Sequence, residues 1–149
     1  MEKTNKAFLI LIFILTVSNF TNAQSNNADA IIGTWLMPDD AGKIKIYKAN
    51  DNFNGRIVWF KETEKDGSPL KDKNNPIDSL TTRTIIGIKV MDNFKFKGNN
   101  LWDEGTFYAP QIGKITTPKC NLIDNNHLEI EISFWLFSKT IELTRDVSL

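Results

Sequence analysis

The chain has 149 residues, with 18 basic and 18 acidic side chains, one histidine and one cysteine. Balanced charge excludes the concentrated basic patch that polyanion binding needs, so no nucleic-acid partner is expected. One cysteine excludes a disulfide framework and one histidine argues against a transition-metal site, so neither metal nor cofactor is expected.

In chain order, Lys3 and Lys6 come first, then the apolar run Ala7–Val17 and the polar segment SNFTNAQ. A basic start, a short apolar core and small residues before a cut describe a secretory signal peptide. Thr21 and Ala23 occupy the −3 and −1 positions, which sets the leader as 1–23 and a single domain as 24–149. The apolar run falls short of the roughly 20 residues of a membrane helix, so export to the periplasm or out of the cell is expected rather than a transmembrane anchor. No cysteine follows the cut closely enough to carry a lipid. Losing two lysines and one glutamate leaves 16 basic against 17 acidic residues.

Period two then dominates. The stretch IIGTWLMPDD opens the structured part and ends in the turn Pro38–Gly42. Lys43–Lys48 places Ile44 and Ile46 on one face, and Phe53–Phe60 aligns Phe53, Ile57 and Trp59. The segment Lys61–Thr82 is too long for a hairpin loop and is either a structured flap or a floppy insert. Arg83–Val90 aligns Thr84, Ile86, Ile88 and Val90, after which Phe94 and Phe96 alternate with lysines. Trp102 and Phe107 flank Gly105. His127–Phe137 aligns Leu128, Ile130, Ile132, Phe134 and Leu136 on one face, with Glu129, Glu131, Ser133, Trp135 and Phe137 on the other. Lys139–Arg145 aligns Ile141, Leu143 and Arg145. Alternation with β-branched and aromatic residues predicts half-buried strands. Asn- and Asp-rich turns at this spacing predict an all-β fold: a single antiparallel up-and-down β-barrel of about eight strands, with a sandwich as the competing arrangement.

Arg145 shares the face of two core residues, so it points inward, where a guanidinium needs company. The indole of Trp35 offers cation–π attraction if first and last strands are neighbours, and Gly33 would let the backbone pass close beneath. G-x-W on a first strand with an Arg on the last resembles the lipocalin, or calycin, signature. The longer pattern GTWLMPDDAGKIKIYK, FNGRIVWFKE, DKNNP, LWDEGTFYAPQIGK and the closing TR resembles a bacterial envelope family catalogued as domain of unknown function 2147. That family commonly has Asp-Pro where this chain has Ala109-Pro110. The resemblance implies secretion and a small barrel with Gly33, Trp35 and Arg145 as a structural plug, and it brings no catalytic residue.

Chemistry is sparse. His127 stands beside Asp124-Asn125-Asn126 with no Ser or Cys partner at catalytic spacing, and Cys120 reads as a small core hydrophobe. Asp103 and Glu104 are adjacent, hence on opposite faces of a strand and unsuited to a glycosidase pair. Asp72–Asp78 alternates oxygen ligands but lacks the glycine and glutamate of a calcium loop, leaving an Asx-rich turn. The aromatics Phe53, Trp59, Phe94, Phe96, Trp102 and Phe134 either fill the barrel or line a cavity. The expected function is a secreted, non-enzymatic binding protein for a small apolar or amphipathic ligand. The rivals are an interaction module with a solid core that works through Trp135 and Phe137, and a small hydrolase or isomerase.

Overall fold

The computed structural model describes residues 27–134 and 137–148. The leader 1–23 and Trp135 therefore lie outside the described residues, as does the side chain of Phe134. Ten strands follow in order: β1 Gly33–Leu36, β2 Gly42–Ala49, β3 Asn52–Phe60, β4 Lys89–Gly98, β5 Leu101–Asp103, β6 Thr106–Ala109, β7 Lys114–Thr116, β8 Lys119–Leu122, β9 His127–Phe134 and β10 Phe137–Arg145.

Two of the barrel's staves are broken. β5 and β6 keep one register against β4, with Phe96 opposite Trp102 and Met91 opposite Phe107, so they act as one strand interrupted at Glu104–Gly105. The break has a local cause: Glu104 takes a left-handed φ of 62°, and the Phe94 ring fills the space where a Cβ on Gly105 would stand. β7 pairs with β6 and β8 with β5, and between them Pro118 cannot donate to a ladder. Counted this way, eight antiparallel staves close in chain order, β3 on β4 and β1 on β10. The up-and-down barrel expected from the alternation is the observed fold.

Three strand boundaries differ from the sequence expectation. Arg83–Ile88 is not strand: Ile85 is buried and Ile86 exposed, because Ile85 N–H bonds to Leu70 O and the chain turns at Gly87, whose φ is +92°. His127–Phe137 is not one strand but the two arms of a hairpin, with Phe137 opposite Phe134. Phe137 therefore shares the register face of Ile141 and Leu143 rather than that of Glu129. A bulge at Lys43/Ile44 slips β3 by one residue, setting Trp59 opposite Lys43 and Ile57 opposite Ile44. That slip moves Trp59 to the outer face, contrary to its expected alignment with Phe53 and Ile57.

One end of the barrel is plugged. A 3-10 turn, Ala28–Ile31, precedes β1; Ile31 is buried and its carbonyl accepts from Trp35 Nε1 at 2.8 Å. Trp35 pairs with Arg145 across the closure, and the guanidinium carbon sits 4.2 Å from the indole centroid. The guanidinium also donates to the carbonyls of Ile32 at 2.9 Å and Ala30 at 2.7 Å, and its Nε to Asn125 O. Any side chain at Gly33, with φ +149°, would collide with Arg145 Nη1. Gly33 thus makes room for the cation as well as for the backbone.

Arg145→Ala removes a cation–π contact and three charged hydrogen bonds, each effect being on the order of 1–3 kcal/mol. Urea denaturation is expected to show a net loss of about 2–3 kcal/mol, and an unchanged midpoint would remove the plug from the account of the fold.

Candidate functional site

The end opposite the plug is partly covered by the connection 61–88, whose Ile85 is buried in the core, and is open beside it. A cavity of about 410 Å³ lies there, between the β1–β2 turn, the β6–β7 turn and the β9–β10 hairpin. Its walls are aliphatic for the most part: Met37, Pro38, Ile44, Phe107, Ile130, Ile132, Ile141 and Leu143. The gap exists because β1 stops at Leu36, so β10 pairs with it only through Arg145 and Thr144. Beyond that point the edge of β10 borders the cavity, and the five consecutive residues Lys139–Leu143 line it. Polar groups at the rim are Lys139, Thr140, Glu142 and Gln111. A mostly apolar concavity with a few polar groups, at the mouth of a β-barrel, is the usual form of a small-molecule site, and its volume falls at the small end of that class.

Five of the six aromatics expected to meet a ligand lie elsewhere, and the side chain of the sixth, Phe134, is outside the described residues. Phe53, Phe94 and Trp102 are fully buried, and Phe96 packs against the core. Trp102 meets Phe53 edge-on at 6.1 Å between centroids and Phe96 at 5.0 Å. These four fill the barrel and none lines the mouth cavity. Among the described residues Trp102 Nε1 has no hydrogen-bond partner. Trp59 is 40% exposed, with Lys43 Nζ 6.0 Å from its ring centroid on the outer wall. The cavity wall is instead built from residues that the alternation had marked only as core, Ile44, Ile130, Ile132, Ile141 and Leu143. Nothing in the strand pattern separates a core aliphatic from one at an open rim.

The long connection 61–88 is a structured flap held by one buried carboxylate. Asp72 is 0% exposed. Its Oδ2 accepts from Arg83 Nε at 3.0 Å, Arg83 Nη2 at 2.8 Å and Asn75 Nδ2 at 2.7 Å, while Oδ1 accepts from Tyr108 Oη at 2.6 Å. Burial and then the Asp72 carboxylate raise the Tyr108 phenol above its ordinary value. Next to this cluster, Asn74 Nδ2 donates to Gln111 O at 2.7 Å, and Asn74 O occupies the space a Cβ on Gly113 would need. The segment DKNNP is thereby docked on the turn of YAPQIGK. This explains the oxygen-rich Asp72–Asp78 as an anchor built of Asx groups. Among the described residues, no group of three or more His, Cys, Asp or Glu side chains could hold a metal ion.

The remaining candidates have structural surroundings. Cys120 is buried beneath the wall, and desolvation pushes its thiol far above the usual range. Lys97 and Lys95 bond Glu104 and hold it low. His127 Nδ1 lies 2.8 Å from Asp124 Oδ2 at the plugged end, and that hydrogen bond, then the carboxylate charge, raises the imidazole above its ordinary value. Among the described residues, no helix is long and apolar enough to cross a membrane.

Comparison with known proteins agrees with this architecture. The bacterial family described as "Uncharacterized protein conserved in bacteria (DUF2147)" matches residues 33–145, and the chain belongs to that family. Among solved structures, protein HP1028 from Helicobacter pylori, titled as belonging to the lipocalin family, is similar with a TM-score of 0.67 at 22% identity, over 78% of this chain and 83% of that one. At that identity the likeness is one of fold. A search of the curated proteins finds no match.

Two outcomes follow from these geometries. Asp72→Asn leaves the Arg83 guanidinium without its counter-charge; breaking a buried pair costs about 3–5 kcal/mol, and less is expected here because Arg83 is part-exposed. Limited proteolysis should then cut within 61–88 faster than in the parent, and equal cleavage rates would show that the latch does not hold the flap. For His127, the raised value means the charged form is favoured in the fold. Its stabilisation is present below the ordinary histidine value of about 6.5 and is lost as pH rises through the raised value. An NMR titration should place His127 above 6.5, and Asp124→Asn should lower it.

Proposed function

We propose that this member of the family binds a small apolar or amphipathic ligand in the mouth cavity, without chemical turnover. The observation that carries the proposal is the cavity of about 410 Å³ with aliphatic walls at the one open end of a barrel whose other end is plugged. Burying apolar ligand surface there is favourable by roughly 25 cal/mol per Å². The fold shared with a protein titled as a lipocalin supports the same reading. The expected aromatic contacts are revised accordingly: Phe53, Phe94, Phe96 and Trp102 form the packed layer behind the site, and the walls are the aliphatic residues of β9 and β10. The polar cluster at Asp72 is internally paired, which favours an anchor over acid–base work. The basic and apolar leader supports export to the periplasm or beyond as the setting of this binding.

A second reading, an interaction module, draws on Phe137, which is 77% exposed near the hairpin tip. The two readings separate by substitution. Ile141→Trp fills the mouth from a half-buried position, so it should abolish binding of the neutral fluorophore N-phenylnaphthylamine while leaving the urea midpoint nearly unchanged. Trp59→Ala, on the outer wall, should leave probe binding intact. Undiminished probe binding in Ile141→Trp would dismiss the mouth as the site and move the interaction module to first place.

A further inference from the structure

We infer that the ligand is an anionic amphiphile, a single apolar chain ending in a carboxylate or similar acid group, and that Lys139 reads its charged end. The inference rests on the binding reading above and adds the charge of the ligand to it.

Register fixes where Lys139 belongs. On β10, Lys139 is opposite Ile132, Ile141 opposite Ile130, and Leu143 opposite Leu128. Ile130, Ile132, Leu128 and Leu143 are buried, so this is the inward face of the hairpin, and Lys139 is the outermost member of its row before Phe137. An ammonium on the inward face of a strand, directly above two cavity isoleucines, lies where an apolar chain lodged below would end. Among the described residues that line the cavity, Lys139 is the only cation. No carboxylate among the described residues lies within ion-pair distance of it; this holds also for Lys45, Lys61, Lys65, Lys71, Lys114 and Lys119, and what sets Lys139 apart is its place on the cavity wall.

The one acidic side chain of the rim does not cancel this charge. Glu142 is opposite Glu129 on β9, and Thr140 is opposite Glu131, which places Glu142 on the outward face. It borders the cavity because the edge of its strand does. A ligand acid group near Lys139 is therefore met by a cation on the inside, while the carboxylates of Glu129, Glu131 and Glu142 face the other side of the sheet. An apolar tail with a neutral end would gain the wall contacts alone. An apolar tail with a cationic end would meet repulsion at the rim.

The pair is exposed and screened by solvent, so its worth is modest, and a charged hydrogen-bond partner adds to it. A preference of about five- to tenfold is the expected scale.

The test displaces N-phenylnaphthylamine from the purified protein with decanoate and with decanol, which share a chain and differ in the end group, at a pH where the acid is ionised. In the parent protein decanoate should displace the probe at about five- to tenfold lower concentration than decanol, and raising the salt should shrink that ratio. In Lys139→Gln the ratio should fall to near one, with decanol unaffected; in Lys139→Glu it should invert. Equal potency of the two competitors in the parent overturns the inference while leaving the binding reading standing. A ratio that persists in Lys139→Gln also overturns it, because another group would then be reading the charge. Failure of the probe to bind the parent at all overturns the binding reading and this inference together, whereas a bound probe that decanoate does not displace overturns this inference alone.

Discussion

The barrel depends on the stacking of Arg145 on Trp35. β1 and β10 meet through only two residue pairs, Trp35 with Arg145 and Leu36 with Thr144, so the ladder at the closure is very short. What strengthens it is a planar cation that covers the indole and ties three backbone carbonyls from two separate segments, Ala30 and Ile32 before β1 and Asn125 in the β8–β9 turn. A lysine could supply the charge but not the planar fork. Gly33 is the matching constraint, since its missing side chain is the space the guanidinium uses. Closure at this end and openness at the other have the same origin: a first strand of four residues, long enough to hold the plug and too short to cover the edge of β10.

Inside the wall the aromatic cluster and the mouth's aliphatic wall come largely from different strands. Aromatic rings from β3, β4 and β5 fill the interior around Trp102, while the aliphatic side chains of β9 and β10 run up to the open rim. The packed rings give the barrel its rigidity, and the isoleucines give the mouth a smooth apolar wall with few directional demands. In the proposed binding role, such a wall would select by shape and by the few polar groups at its edge, which is why a single inward lysine at the rim carries weight.

The flap is fixed independently of the plug. Asp72 collects two bonds from one guanidinium, one from an amide and one from a phenol, so no polar atom of its carboxylate is left without a partner in the interior. A buried charge is tolerable on those terms and costly on any other. The arrangement joins two segments that are distant in sequence, DKNNP and YAPQIGK, at the end opposite the plug, where Ile85 of the same connection is buried in the core. A connection of this length is thus ordered with little regular structure of its own, a three-residue 3-10 turn at Asp78–Leu80 and two isolated bridges.

Alternation alone determined the class of fold, most strand positions and the inward direction of Arg145. Burial on one face of a sheet has a period of two, and that period is written directly in the residues. The Trp35–Arg145 contact was legible for the same reason, because the chain's two ends carry it on strands whose faces could be assigned. Three things needed the tertiary structure. The bulge at Lys43/Ile44 reversed Trp59, since a slip of one residue exchanges the faces of everything beyond it. The pairing of Phe137 with Phe134 returned Phe137 to the other face, and the sequence there carries no Gly or Pro to break its run of β-forming residues. The latch at Asp72 depends on Tyr108, 36 residues away, and no local pattern encodes a hydrogen bond over that separation. Whether an inward side chain meets packed core or an open mouth is likewise set by how far each strand extends beyond its neighbours, which is a property of the assembled barrel and of no single strand.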